Sequence, residues 1–234
     1  MKILSLDSSA TVATVALCED EALLAEFTLN NGNTHSETLL PMVETLLATF
    51  GAKLDDVGLF ACTSGPGSFT GVRIGAATLK GLAFGREIPT VGVSTPEAIA
   101  ENLLSLGGLI CPVMNARRSQ VYTALFRSDG ERLTRLLPDS ALSIAELDTL
   151  LAAYGEPVAF AGDGYDVTLA ALKETAPRPV CERLRHQSAY SVAQVALRQY
   201  REGRVDTDRS LAVNYLRPSQ AERTRMEQEA LKNA

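Results

Sequence analysis

The sequence predicts an α/β protein of two similar lobes, each a mixed sheet flanked by helices. Three observations carry that reading. Three short apolar strands open the chain and lead into a helix, a strand and a helix, and the same order of elements restarts after Gly107-Gly108. Short identities recur in step with that order: a shift of 108 residues carries Ala16-Leu17 onto Ala124-Leu125, and a shift of 100 carries Phe60-Ala61 onto Phe160-Ala161. Within each half the apolar pattern changes from strand-like runs to a helical period of 3.6. The expected division is a first lobe over residues 1–106, a second over 107–217 and a charged tail over 218–234.

KILSLD (Lys2 to Asp7), TVATVALC (Thr11 to Cys18) and ALLAEFTL (Ala22 to Leu29) are apolar runs with turn-length connections, so they read as a meander. In the next segment Leu39, Leu40, Val43, Leu46, Leu47 and Phe50 fall within about 120° of a helical wheel, and Gly51 is a natural stop. Pro41 inside that pattern is expected to kink the helix or to mark its first turn. VGLFACTS (Val57 to Ser64) is a buried-type strand, followed by a helix from near Phe69, a strand from Thr90 to Val93 and a helix from about Pro96 to Leu106. The second half gives strands at Leu109 to Asn115, Gln120 to Phe126 and Glu131 to Leu137. A helix from Ser143 to Gly155 follows, with Ser143 and Glu146 spaced as a capping box. PVAFAG is another strand, and two helices follow, near Tyr165 to Glu174 and Ser188 to Glu202.

Composition narrows the function classes. Hydrophobic residues make up 46% and charged residues 21%, an ordinary globular balance. No apolar run approaches the roughly 20 residues of a membrane span, and MKILSLDSS reads as a strand, not an export signal. The four cysteines, Cys18, Cys62, Cys111 and Cys181, are widely spaced and form no C-x-x-C pair, which fits reduced thiols in a cytoplasmic protein. A net charge of −6 argues against unaided binding to nucleic acid, which phosphate contacts drive.

Several segments carry candidate chemistry. Asp7-Ser8-Ser9 ends the first strand; in duplicated two-lobed folds such a turn holds phosphate, with the acid placing Mg²⁺ through water, although an Asx-type turn reads the same way. Gly162-Asp163-Gly164 precedes a helix and is either a second anion seat or a tight strand-to-helix turn. Together these six residues are the candidates for a vestigial nucleotide or phosphate site. The corresponding turn of the second half, Met114-Asn115-Ala116-Arg117-Arg118-Ser119-Gln120, has two arginines and no glycine, which suits partner contact, or an exposed hairpin with solvated arginines, better than a phosphate cradle.

SGPGSFTGVRIGAATLKGLAFG (Ser64 to Gly85) is glycine-rich but fails both familiar phosphate motifs. Its first glycines give G-x-G-x-x-x-G, one residue too long for the dinucleotide fingerprint, and Thr70 and Gly71 stand where a Walker loop places glycine and lysine. Gly71, Gly75, Thr78 and Leu82 lie along one side of the helix, which points to close packing against a neighbouring helix and to a pairing surface. His35 and His186 have no metal-ligand spacing, there is no G-x-S-x-G elbow, and no nucleophile–base pair emerges.

KILSLDSS, THSETLLP, SGPGSFTGVRIG, MNARRSQVYTALF and NYLRPSQ, in this order from Lys2 to about Arg217, resemble the TsaB (YeaZ) family. The resemblance implies an actin-like (ASKHA, ribonuclease H-like) fold. It implies a non-catalytic scaffold and activator subunit in making threonylcarbamoyladenosine beside the anticodon of tRNA. The implied partners are the TsaD transferase, a paralogue, and the ATPase TsaE, with a homodimer when alone and tRNA met only through the complex. Pairing through two first-lobe helices is implied, which places Leu39, Leu40, Met42, Val43, Leu46, Leu47, Phe50, Gly71, Arg73, Ile74, Gly75, Thr78 and Leu82 at the interface. The transferase's metal-binding H-x-x-x-H aligns with Thr95 and Ile99, so no metal is implied, and no intrinsic cofactor; ATP or ADP would bind weakly or at the complex interface. The rival readings are an ATP-binding actin-like kinase or ATPase, favoured by Asp7, and an M22-type glycoprotease, opposed by the missing histidines.

Overall fold

The computed structural model describes residues 1–217, and the charged tail expected over 218–234 lies outside the described residues. The first half contains strands β1 (Lys2–Asp7), β2 (Ala13–Glu19) and β3 (Ala22–Leu29), helix α1 (His35–Thr49), strand β4 (Val57–Gly65), helix α2 (Phe69–Ala83), strand β5 (Thr90–Ser94) and helix α3 (Thr95–Glu101). The second contains β6 (Gly108–Asn115), β7 (Gln120–Ser128), β8 (Leu133–Ser143), α4 (Ile144–Ala152), β9 (Val158–Ala161), α5 (Tyr165–Leu169), β10 (Pro177–Arg178) and α6 (Ala189–Arg201).

Two five-stranded sheets result, ordered β3-β2-β1-β4-β5 and β8-β7-β6-β9-β10. In each, the tight-turn neighbours pair antiparallel, and the strands reached through helical crossovers pair parallel. The repeat is therefore spatial as well as sequential. Phe60-Ala61 lies beside Leu4-Ser5, and Phe160-Ala161 lies beside Cys111-Pro112, so both pairs occupy the same place in their sheets. This doubled mixed sheet agrees with the fold that the resemblance implies.

Alternation along the central strands gives each sheet two apolar faces. Leu4 and Leu6 face α1 and α2, in a core with Phe60, Leu39, Val43, Leu46 and Leu79. Ile3 faces the other way, toward α6 and its Val192, Ala196 and Leu197. In the second sheet Leu109, Cys111 and Val113 face α4, while Ile110 and Met114 face Ile99 and Leu103.

The last contacts correct the sequence reading of which helix serves which lobe. The helix from Ala189, expected with the second lobe, packs on the first sheet, where the Ser5 hydroxyl donates to the Ala189 carbonyl at 2.6 Å. Helix α3, from the first half, buries Ile99 against the second sheet. The exchange satisfies both sheets: each has a bare apolar face that its own short helices leave uncovered. Arg198 of α6 clamps Glu101 of α3 through paired bonds of 2.8 and 2.6 Å, joining the two exchanged helices.

Other boundaries differ locally. Strand β8 extends to Ser143, past the expected Leu137, and brings Arg135 and Asp139 to Glu97 and Ser94 of the other half. The helix expected to reach Glu174 ends at Leu169, and the two-residue β10 had no apolar run to announce it. Helix α1 runs through Pro41, which lies on the exposed side, where the carbonyl it orphans can meet water. The Ser143–Glu146 capping box forms as the sequence predicts.

Candidate functional site

The two strand turns expected to hold phosphate both come to the cleft between the lobes. Its volume is about 690 Å³, and its walls come from the β1–β2 turn, the start of α2, the β6–β7 turn, Asp163 and the segment Asn214 to Arg217. The geometry of each turn departs from a phosphate cradle.

Asp7 and Ser9 are wholly buried, and Ser8 nearly so. One oxygen of Asp7, Oδ1, accepts the Ser9 N–H at 2.7 Å and the Thr63 hydroxyl at 2.9 Å. Its Oδ2 has no partner among the described residues. The start of α2 lies on this turn: Ser68 N–H donates to the Ser9 carbonyl at 2.7 Å, and the Ser8 hydroxyl donates to the Gly71 carbonyl at 2.9 Å. His35, from α1, holds the far side through Nε2 and the Ala10 carbonyl, 2.7 Å apart. The turn is thus an Asx-type structure locked from both sides, and Asp7 is sealed from the water through which it would place a cation.

Burial pushes the Asp7 carboxyl above its ordinary value of 3.8, with the Ser9 and Thr63 hydrogen bonds offsetting only part of the rise. A carboxyl raised on folding costs stability as pH climbs past its unfolded value, because the unfolded chain releases the proton first. Asp7→Asn is therefore expected to raise the melting temperature at pH 7 and to change it little below pH 3.8. Thermal melts of both proteins across that range check this; a lower melting temperature for the variant at pH 7 counts against it.

The Gly162–Gly164 turn is equally occupied. Gly162 has φ +111°, and a Cβ there would stand 2.2 Å from the Val113 carbonyl oxygen. Its N–H donates to the Arg185 carbonyl at 2.7 Å, and that of Gly164 donates to the Val113 carbonyl at 3.0 Å. The glycines let the β9–α5 turn cross β6, and their amides are spent on that crossing. Of this group, Asp163 lines the cleft; its Oδ1 accepts the Asn115 N–H at 3.1 Å, and burial raises its carboxyl above the usual range. Of the six residues read as a vestigial phosphate site, Ser9 and Asp163 line the cleft, and the amides of Ser9, Gly162 and Gly164 are already bonded within the fold.

The glycines of α2 also serve a different end from the one the sequence suggests. Cβ atoms at Gly71 and Gly75 would meet Ser8 and Leu6, not the neighbouring helix: 2.0 Å to the Ser8 carbonyl oxygen and 2.7 Å to its hydroxyl. They seat α2 on the end of β1. The apolar stripe of α1 is likewise internal, with Leu39, Met42, Val43, Leu46 and Leu47 buried in the core, as is Leu82 of α2. These eight positions cannot meet a partner directly. The exposed residues of the two helices and their ends include Leu40, Phe50, Arg73, Ala77, Gly81 and Phe84, beside polar positions such as Glu37, Glu44 and Thr45, with Ile74 and Thr78 half-buried. Phe84, 72% exposed, is the most exposed large apolar residue described. Sequence reasoning missed it because it falls at the helix end, outside the stripe; its flanking by small Gly81 and Gly85 was the available signal.

Among the described residues no three His, Cys, Asp or Glu side chains come together as metal ligands. Thr95 and Ile99 are fully buried, Ile99 in the core against the second sheet. Three cysteines are buried, and burial pushes the thiols of Cys18, Cys62 and Cys111 up to about 12, so they are inert. No helix among the described residues is long and apolar enough to cross a membrane.

Comparison with known proteins agrees with this architecture. The model of the TsaD family, tRNA N6-adenosine threonylcarbamoyltransferase, matches residues 23–224. The tRNA threonylcarbamoyladenosine biosynthesis protein TsaB of Bacillus subtilis (strain 168) is 35% identical over 162 residues, covering 69% of this chain and 71% of that one. Its counterpart in Escherichia coli (strain K12) is 39% identical over 131 residues, and the match spans only 55% of this chain and 56% of the relative. A crystal structure from Pseudomonas aeruginosa, described as similar to the peptidase YeaZ, superimposes with a TM-score of 0.79 at 25% identity, over 92% of this chain and 99% of that one. The family model's match over residues 23–224 and the identity with the Bacillus subtilis protein over more than two thirds of both chains place the chain in the TsaB branch of the TsaD family, whose named members are tRNA threonylcarbamoyladenosine biosynthesis proteins.

Proposed function

We propose that the chain is a non-catalytic accessory subunit in threonylcarbamoyladenosine formation on tRNA, acting in the cytoplasm by pairing with a TsaD-type transferase. The observation that carries this is the state of Thr95 and Ile99. They stand where the transferase resemblance places two metal-binding histidines, and both are sealed in the interior, with no cluster of ligands near them among the described residues. A side chain buried between two sheets can hold the lobes together but cannot present an open coordination position to a substrate. The chain's residues supply a rigid body and a surface. No resident nucleotide is part of this reading, since the turn amides are committed to the fold; ATP or ADP belongs at the complex interface or to the ATPase TsaE, which joins the pair.

The outer faces of α1 and α2 support the pairing role. Phe84, Leu40 and Phe50 are exposed apolar side chains, and Ala77 and Gly81 are exposed small residues on α2. In the absence of the transferase the same face would pair with a second copy of the chain.

Phe84→Glu and Ile74→Glu are expected to abolish the heterodimer with the transferase subunit, each by roughly 2 kcal/mol or more, as for an interface anchor. Circular dichroism should show both variants still folded. Size-exclusion chromatography of mixed subunits reads the result, and an unshifted heterodimer peak with both variants would overturn the assignment of this face.

A further inference from the structure

The cleft between the lobes has a chemistry that its phosphate turns do not explain. Overall the chain carries a net charge of −6, yet the cleft is lined by two arginines, Arg117 and Arg217, against one acid, Asp163. Three aromatic rings line it as well. Phe69 and Tyr215 stand 4.8 Å apart at the α2 side, and Tyr122 lines the cleft from β7, with the Arg217 guanidinium 5.9 Å from its ring centre. A cleft of about 690 Å³ is of small-ligand size.

The arginine turn is held at a conformational cost. Arg117, Arg118 and Ser119 all have left-handed φ, at +64°, +53° and +55°. Residues with a Cβ lose roughly 1–2 kcal/mol each in that region. Three such residues in a row persist because the Arg117 N–H donates to Asn115 Oδ1 at 2.9 Å and the Ile144 N–H donates to the Ser119 carbonyl at 3.0 Å. Glycines would relieve the strain; the side chains kept in their place include the arginine of the cleft wall. On the opposite wall the Ser9 hydroxyl is buried with no partner among the described residues.

We propose that this cleft takes one nucleotide of single-stranded RNA, its phosphate between Arg117 and Arg217 and its base against the rings of Tyr122 and Tyr215. The inference rests on the reading of the chain as a subunit of a tRNA-modifying complex. Guanidinium groups paired with open aromatic faces are how proteins hold unpaired nucleotides, and the mode needs no glycine cradle. A free nucleoside triphosphate is the poorer occupant: the amides of Ser9, Gly162 and Gly164 that would grip its phosphate chain are already bonded within the fold. Asp163 offers an acceptor for a base amino group. The negative charge of the whole chain keeps binding weak outside the complex, so the site works when a partner brings the RNA to it.

Tyr215 links this cleft to the pairing face. Arg73, exposed on α2, donates from Nε to the Tyr215 hydroxyl at 2.5 Å and lies 3.8 Å over the Phe69 ring.

The test is fluorescence anisotropy of a labelled single-stranded RNA of about eight nucleotides, titrated at low salt with the complex of this chain and its transferase subunit. Arg117→Glu combined with Arg217→Glu is expected to weaken RNA binding about 10-fold or more, and Tyr122→Ala by a similar factor. Arg132→Glu, on the exposed β7–β8 turn, should leave it unchanged, and size-exclusion chromatography should show every variant still paired. RNA affinity unmoved by the cleft variants in an intact complex overturns the proposal. So does AMP competing at lower concentration than the oligomer, which would make the occupant a free nucleotide. Should no complex form at all, the pairing reading has failed instead; the chain alone is then titrated at low salt to high RNA concentration, where weak binding that the cleft variants reduce sustains the site and binding that they leave unmoved overturns it.

Discussion

Gly71→Ala is expected to destabilise the protein by about 3 kcal/mol or more, enough to lower the melting temperature by roughly 10 °C in a chain of this size. The new methyl would stand 2.0 Å from the Ser8 carbonyl oxygen, a backbone atom that cannot rotate away. Helix α2 would have to lift from β1, and the Ser8 hydroxyl bond to Gly71 and the Ser68 bond to Ser9 would go with it. Gly81→Ala, ten residues along the same helix, should do the opposite. Nothing lies within 4 Å of its Cβ position, and alanine in a helix interior is favoured over glycine by about 1 kcal/mol. Thermal melts of the two variants side by side test the claim, since general helix propensity would move both upward. Gly81→Ala should also weaken pairing with the transferase if the low outer surface of α2 is where a partner lies.

The second large effect is expected in the other lobe. Asp148 is buried on α4 and caps the Lys173–Thr175 backbone: Oδ2 accepts the Lys173 N–H at 2.7 Å and the Glu174 N–H at 3.1 Å, while Oδ1 accepts the Thr175 N–H at 2.9 Å. Burial by itself pushes the carboxyl up, but these bonds outweigh it and hold the group below the usual aspartate range. A carboxyl lowered on folding contributes stability that is complete above its unfolded value and is lost as pH falls through the folded one. Asp148→Ala strands three N–H groups and is expected to cost about 3 kcal/mol at pH 7. The deficit should shrink as the pH falls below 3.8, where the native acid loses its advantage. Asp148→Asn keeps one acceptor and should lie between. Urea melts at pH 7 and pH 3 read both the size and the sign; a deficit independent of pH would mean that the carboxylate's charge contributes nothing.

Most of the element order could be read from the chain because its signals are local. The capping box at Ser143, the stop at Gly51 and the apolar runs of β1, β4 and β6 each rest on a few adjacent residues. The two-residue β10 and the early end of α5 were not legible, since neither has a run long enough to show a period. Burial was the larger failure. A stripe such as Leu39, Val43 and Leu46 states that a helix face is apolar but not what covers it, and here its own sheet does.

The sequence by itself determined the doubled lobe and the family, because periodicity and motif order are properties of the chain. Tertiary structure alone decided that Gly71 rests on Ser8, that α3 and α6 trade sheets, that Phe84 stands exposed and that two arginines line the cleft. The reason is geometric: a contact between residues more than sixty positions apart depends on how layers stack, and no local pattern records it.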